Sequence, residues 1–239
     1  MSAKQIKLSE RLGTIAGFIE KGSAVADIGT DHGFLPVYLA QRGLAHPIIA
    51  SDISSESLKA ALGSAVKYGV ADRISFITAP GLAGINEAEV DTIVLSGMGG
   101  ETISQILAQA PWTKQHGTRL ILQPQTKIGK LCSWLRGNGY DLCDAALACE
   151  KGRLYTVMLA RAPAAHEFGI RNSKCEISDS CVPEVELLSV LAANGTPLFP
   201  EYIDGLISTA KRAVEGMAGS GAAGYANMAK RLEDLKMFK

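Results

Sequence analysis

The sequence carries no net charge, no long apolar run and no cysteine framework, and each absence narrows what the chain can be. Its 24 lysine and arginine residues balance 24 aspartate and glutamate residues, so no global field attracts nucleic acid and any such site must be a local patch. The five cysteines, Cys132, Cys143, Cys149, Cys175 and Cys181, are odd in number and form no close C-x-x-C pair. They read as reduced thiols rather than disulfides or zinc ligands. No stretch approaches the roughly 20 apolar residues of a membrane span, and the first residues lack an apolar signal core. We therefore expect a cytoplasmic protein with no membrane partner and no metal. A G-x-S-x-G motif is also missing, which removes the nucleophile elbow of α/β-hydrolases.

What is present is a succession of strand, turn and helix. Apolar spacing predicts an amphipathic helix over 8–19 and then alternating elements: strands at 23–28, 47–50, 73–78, 90–95 and 119–123, with helices at 34–41, 54–68, 101–110 and 127–137. Segments 140–149 and 153–162 read as two closing strands joined by Glu150-Lys151-Gly152. Repeated βα units imply a parallel sheet, and the two adjacent last strands imply an antiparallel edge. The expected fold is α/β, a Rossmann-like methyltransferase architecture with a mostly parallel seven-stranded sheet over 1–162. Beyond it, 164–182 reads as a polar connector, and helical spacing returns at 184–193, 202–214 and 225–235. This gives a small C-terminal helical domain over 163–239, expected to be coiled-coil-like and to contact RNA.

In such sheets ligands bind beyond the carboxyl ends of the strands, where the distinctive motifs fall. Asp27-Ile28-Gly29-Thr30-Asp31-His32-Gly33 follows the first strand. Gly29 permits a tight turn and close ligand approach, but the third glycine of a dinucleotide fingerprint is replaced. Asp31 would repel a pyrophosphate and welcome an amine and a sulfonium, which favours S-adenosylmethionine. Asp52 ends the second strand at about 20 residues from the glycine turn, the place of a ribose-binding carboxylate, although an aspartate there also caps a helix. Ile53 follows it. Pro80-Gly81-Leu82 after the third strand is read as adenine-side backbone or an ordinary turn. Ser96-Gly97-Met98-Gly99-Gly100 removes side-chain bulk where two ligands must meet. Gln123-Pro124-Gln125 offers amides able to read a base edge.

Together these residues resemble the TrmK-type tRNA adenine(22)-N1 methyltransferases. The likeness rests on Leu8-Ser9-Glu10-Arg11-Leu12, Ala26 to His32, Ser96 to Gly100, Leu120 to Pro124, Trp134-Leu135-Arg136 with Gly139-Tyr140, and Glu150-Lys151 with Tyr155. The resemblance implies methyl transfer from S-adenosylmethionine to N1 of a tRNA adenosine. It implies that Asp27, Gly29, Thr30, Asp31, His32, Asp52, Ile53, Gly81, Leu82, Ser96, Gly97 and Met98 line the cofactor site, with Asp31 the catalytic acid. Lys7, Arg11, Gly99, Gly100, Gln123, Pro124, Gln125 and Arg136 are expected toward the substrate, with Lys4, Lys127 and Lys130 as further phosphate contacts. Where the family shows Gly-Asp-Gly-Leu and Gln-Pro-Asn, this sequence has Ala79-Pro80-Gly81-Leu82 and Gln123-Pro124-Gln125. A monomer is expected. Rival readings are a methyltransferase for a small molecule, protein or other RNA, a nicotinamide oxidoreductase, and an RNA-binding relative without catalysis.

Overall fold

A computed structural model describes residues 5–115, 117–163, 184–217 and 223–239. The connector expected over 164–182 and Lys4 lie outside the described residues. The chain runs α1 (Glu10–Gly17), β1 (Ser23–Ile28), α2 (Phe34–Arg42), β2 (Ala45–Asp52), α3 (Ser55–Lys67), β3 (Ser75–Thr78), β4 (Thr92–Gly99) and α4 (Gly100–Ala108). It continues through α5 (Trp112–Gln115), β5 (Arg119–Thr126), α6 (Ile128–Gly137), β6 (Asp141–Glu150), β7 (Arg153–Arg161), α7 (Val185–Ala193), α8 (Phe199–Met217) and α9 (Ala223–Lys236). The seven strands form one sheet in the order β3-β2-β1-β4-β5-β7-β6. The first five are parallel, while β7 runs antiparallel to both β5 and β6. The expected Rossmann-like fold is therefore present.

The period-2 alternation of the central strands sorts side chains to two faces. Ala26, Ile28, Ile93, Leu95, Leu120 and Leu122 enter one core with Ile103, Leu107 and Leu131 of α4 and α6. Val25, Val94, Ile121 and Val157 enter the other with Ile15, Leu35, Leu39 and Ala65 of α1, α2 and α3. Both faces are thus buried, which is why the strands read as nearly continuous apolar runs. Helix ends follow local rules: Ser9 caps α1 by accepting from Leu12 N–H, Ser54 caps α3 by accepting from Ser57 N–H, and Gly43 ends α2 in the left-handed region.

The C-terminal helices join the sheet through α7, which also packs into a small core of their own. Leu187 and Leu191 of α7 join the first sheet core, while Leu188 packs with Ile203, Ile207, Ala210 and Leu235 of α8 and α9. Arg231 of α9 donates to the buried Glu184 beside α7, with both carboxylate oxygens at 2.8 Å. Among the described residues no helix is long and apolar enough to cross a membrane.

The sequence reading placed the turn after the fourth strand at Ser96. Instead β4 continues to Gly99, pairing Ser96 with Gln123, Met98 with Pro124 and Gly99 with Thr126, with irregular register. The reason for the last glycine is packing. A Cβ on Gly100 would stand 2.6 Å from the Lys127 carbonyl oxygen and 3.0 Å from that of Thr126, so only glycine lets α4 begin this close to the β5–α6 junction. Gly100→Ala should lower unfolding stability by about 1–3 kcal/mol as read by urea denaturation. Gly137→Ala, with nothing within 4 Å of its Cβ, is the control expected to stay within about 0.5 kcal/mol.

Candidate active site

The carboxyl ends of β1 and β4 lie side by side while their crossovers leave in opposite directions, β1 toward β2 and β4 toward β5. A cleft of about 540 Å³ opens there, as expected at a topological switch point. Asp27, Gly29, Thr30, Asp31 and His32 line it from the first loop, Ser96 and Gly97 from β4, and Gln125 from β5. Lys7 and Leu8 line it from the segment before α1, and Arg11 and Leu12 from the first turn of α1.

Backbone geometry in the first loop decides what the loop can grip. Gly29 sits at φ +73, and the space a Cβ would need there is taken by the terminal methyl of Met98. The N–H groups of Gly29 and Thr30 both donate to the Ser51 carbonyl, at 2.8 and 3.1 Å. The Asp31 N–H faces Asp52 Oδ2 at 3.4 Å, while Asp52 Oδ1 accepts from Ser54 N–H at 2.8 Å. Amides that would hold a pyrophosphate in a dinucleotide enzyme are instead tied to β2. Asp52 therefore organises the loop and the start of α3, with exposed Ile53 beside it.

Asp27 is the buried charge of the site. It is 4% exposed and accepts from Thr30 Oγ1 at 2.7 Å. Burial drives its pKa from 3.8 up to about 6; the Thr30 hydrogen bond opposes that rise, the Asp52 charge adds to it, and the Arg11 charge opposes it. Asp31 is the opposite case, with a side chain 71% exposed and φ +48. Its carboxylate lies 3.8 Å from His32, whose ring stacks on Phe34 at 5.4 Å.

The structure separates the remaining expected residues. Arg11 was expected on RNA phosphates, yet its guanidinium is turned inward. Nη1 donates to Gln123 Oε1 at 2.9 Å, Nε lies 3.7 Å from Glu150 Oε2, and the group sits 5.7 Å over the Tyr155 ring. With its donors engaged across three strands, it acts inside the cleft. Gln123 is fully buried; the same Oε1 accepts from Gly97 N–H at 3.1 Å, and its Nε2 donates to the Pro124 carbonyl at 3.1 Å, so it braces the loop instead of offering an amide edge. Gly97 at φ +78 and Gly99, facing Thr126, stay near the cleft. Gly100 and Pro124 are buried in packing. Leu82 is 5% exposed in the first sheet core, and the Cβ position of Gly81 faces Ile106 at 3.2 Å, so Leu82 is not a cleft residue. Arg136 ends α6, which runs away from the carboxyl edge; its charge acts on Glu186 instead. Lys130 pairs with Glu101 on the outer surface. Sequence reasoning missed Glu150 and Phe34, both in the cleft lining. Glu150 figured in the sequence only in the family likeness and beside the tight turn that follows it. No group of three or more His, Cys, Asp or Glu that could hold a metal occurs among the described residues.

Residues 8–158 match the methyltransferase domain family. Over 158 residues the chain is 36% identical to tRNA (adenine(22)-N(1))-methyltransferase of Bacillus subtilis, covering 66% of each chain, so the aligned part spans just under two thirds of that relative. The crystal structure of the B. subtilis M1A22 tRNA methyltransferase TrmK superposes with a TM-score of 0.83 at 30% identity, covering 98% of this chain and 99% of that one. M. capricolum TrmK in complex with the cofactor product S-adenosyl-homocysteine gives 0.78 at 24% identity, covering 97% of each, a likeness of fold.

The buried carboxylate makes a pH prediction. Asp27 titrates near 3.8 when unfolded and near 6 when folded, so the native state holds its proton more tightly and stability falls as pH rises through that window. Once ionised it costs up to about 3 kcal/mol. Asp27→Asn, which keeps an acceptor for Thr30, should therefore gain thermal stability relative to wild type between pH 4 and pH 7. Melting curves showing a pH-independent difference would contradict this.

Proposed function

The chain belongs to the methyltransferase domain family and within it to the tRNA (adenine(22)-N1)-methyltransferases, and from that premise we propose that it transfers a methyl group from S-adenosylmethionine to N1 of an adenosine in tRNA. The observation that carries this reading is the acidic, glycine-walled cleft at the β1–β4 switch point. Its donor set fits the cofactor: the Asp27 and Asp52 carboxylates suit an amine and ribose hydroxyls, Ile53 offers an exposed apolar face to a ring, and the loop amides are unavailable to a pyrophosphate. When bound, S-adenosylmethionine supplies a methyl group made electrophilic by its sulfonium.

In this reading Asp27, Gly29, Thr30, Asp31, His32, Asp52, Ile53, Ser96, Gly97 and Met98 hold the cofactor side, with Gly81 contributing only backbone. Gly99 and Gln125 border the target side. Adenine N1 carries its own lone pair, so alignment is the main contribution of the protein. N1 is a pairing-edge atom, and the adenine must be unpaired or flipped to enter. The exposed His32–Phe34 stack at the mouth gives an RNA base a surface to lie on, and the exposed Lys7 gives its phosphate a cation. The Asp31 carboxylate, solvated at the same mouth, helps offset the positive charge that the adenine acquires. A helical unit over 163–239 alongside the catalytic domain over 1–162, a monomeric state and a cytoplasmic location complete the proposal.

Nucleoside mass spectrometry of unmodified tRNA incubated with the protein and labelled cofactor tests it. Labelled N1-methyladenosine is the expected product, and label in another nucleoside or in none would refute the assignment. Asp52→Asn, whose amide oxygen can still accept from Ser54, should weaken cofactor binding about tenfold, or about 1–2 kcal/mol, by calorimetry. Asp31→Asn should keep the fold and slow single-turnover methylation at saturating cofactor, and an unchanged rate would exclude it from the chemistry.

A further inference from the structure

A second pocket, of about 520 Å³, adjoins the cleft, and the two share Lys7, Leu8 and Ser9. Residues 5–9 line it together with Glu10, Gly13 and Thr14 of α1 and with Tyr38 and Arg42 of α2. Segment 5–9 is fixed against α2, because Ile6 is buried in the second core and its N–H donates to Gln41 Oε1 at 2.9 Å. Gly13 leaves open space, with nothing within 4 Å of where a Cβ would stand. Phe34, Tyr38 and Arg42 are spaced i, i+4 and i+8 on α2, so they follow one another within one stripe of the helix over about 12 Å. The stripe starts at the mouth of the cleft, where Phe34 stacks with His32, and ends in the second pocket. There the exposed Arg42 guanidinium lies 5.4 Å over the Tyr38 ring and its Nη2 donates to Gln5 Oε1 at 3.5 Å. Among the described residues neither Arg42 nor Lys7 has a carboxylate within ion-pair distance, whereas Arg11, Arg119, Lys130, Arg231 and Lys239 each have one. Two cations thus stand against the single acid of the lining, Glu10.

We propose that this pocket and the α2 stripe bind the single strand of tRNA next to the methylated adenosine, with Lys7 and Arg42 meeting its phosphates and a neighbouring base laid against the Arg42–Tyr38 pair. The assignment rests on the tRNA reading above and deepens it. An adenine drawn into the cleft brings its strand across the mouth, and the surface continuous with that mouth is this one. Bases freed from pairing seek stacking partners, which aromatic rings and guanidinium planes supply. A stripe of about 12 Å matches roughly three stacked nucleotides at about 3.4 Å each. Tyr38 packs against the second core, so its place is set before RNA arrives. In a chain without net charge, phosphates are drawn to cations that no acid neutralises, and Lys7 and Arg42 are such a pair. The exposed members Gln5, Lys7, Glu10 and Arg42 are polar, which suits a phosphate strand better than the apolar centre of a protein interface.

The test measures tRNA affinity by fluorescence anisotropy over a salt series for wild type, Arg42→Gln and Tyr38→Leu, together with melting curves, cofactor affinity and single-turnover rates at saturating tRNA. Arg42→Gln should weaken tRNA binding about tenfold and lower the slope of log affinity against log salt by about 0.7 to 0.9. Tyr38→Leu, which keeps apolar bulk against the core, should weaken binding about tenfold and change the slope less. Both should leave cofactor affinity and the saturated rate at the wild-type value. A folded Arg42→Gln that binds tRNA with wild-type affinity and slope overturns the proposal, as does a loss confined to the saturated rate. If Tyr38→Leu does not fold, the exposed Arg42 decides alone. Location is read separately: 4-thiouridine placed beside the methylated adenosine should crosslink within residues 5–14 or 34–42, and crosslinks confined to other segments would count against the assignment. A changed oligomeric state in Arg42→Gln with tRNA binding kept would give the pocket to a second copy of the chain and overturn the proposal. Wild type that binds cofactor but no tRNA would overturn the tRNA reading itself, and the assignment with it.

Discussion

Between β1 and β4 the crossovers diverge, and a parallel sheet cannot close over the gap this leaves at its carboxyl edge. Everything in the site answers that gap. The first loop folds onto β2, with its amides donating to Ser51 and facing Asp52. The segment before α1 and the first turn of that helix line the opening. Arg11 joins that turn to the strands beyond the gap through Gln123, Glu150 and Tyr155. One guanidinium thereby ties α1 to β5, β6 and β7, and through Gln123 to the end of β4.

This arrangement distributes charge unequally. Asp27 is dry and accepts from the Thr30 hydroxyl, Asp31 is wet, and Glu150 turns a buried oxygen toward the Arg11 guanidinium. Three carboxylates around one cavity thus differ in what they can do. A dry acid responds strongly to an arriving cation, a solvated one responds weakly, and an ion-paired one holds its partner in place.

Much of this was legible in the sequence because it is local. Period-2 apolar strands buried on both faces gave the sheet, and glycine turns at strand ends gave the cleft edge, including Asp27, Gly29 and Asp52. What was not legible depends on contacts between distant segments. The Arg11–Gln123 bond spans 112 residues, and nothing near Arg11 in the chain says that its head turns inward. Gly100 looked like a ligand-binding glycine, but its lack of a side chain serves the approach of the Lys127 carbonyl. Arg136 carried a suitable charge on a helix that points it away from the edge. Glu150 stood in the sequence only as part of the family likeness, and its place in the cleft lining became visible once the β6–β7 hairpin was placed.

The central claim is spatial: cofactor on the β1–β2 side of the switch point, target base on the β5–β7–β6 side. Amide hydrogen exchange read by mass spectrometry, with S-adenosyl-homocysteine alone and then with tRNA added, tests it most directly. The account predicts that the small ligand slows exchange in 27–33 and 50–55, and that tRNA adds protection in 96–100 and 148–155. Protection of 148–155 by the small ligand alone, with no further change on adding tRNA, would contradict it.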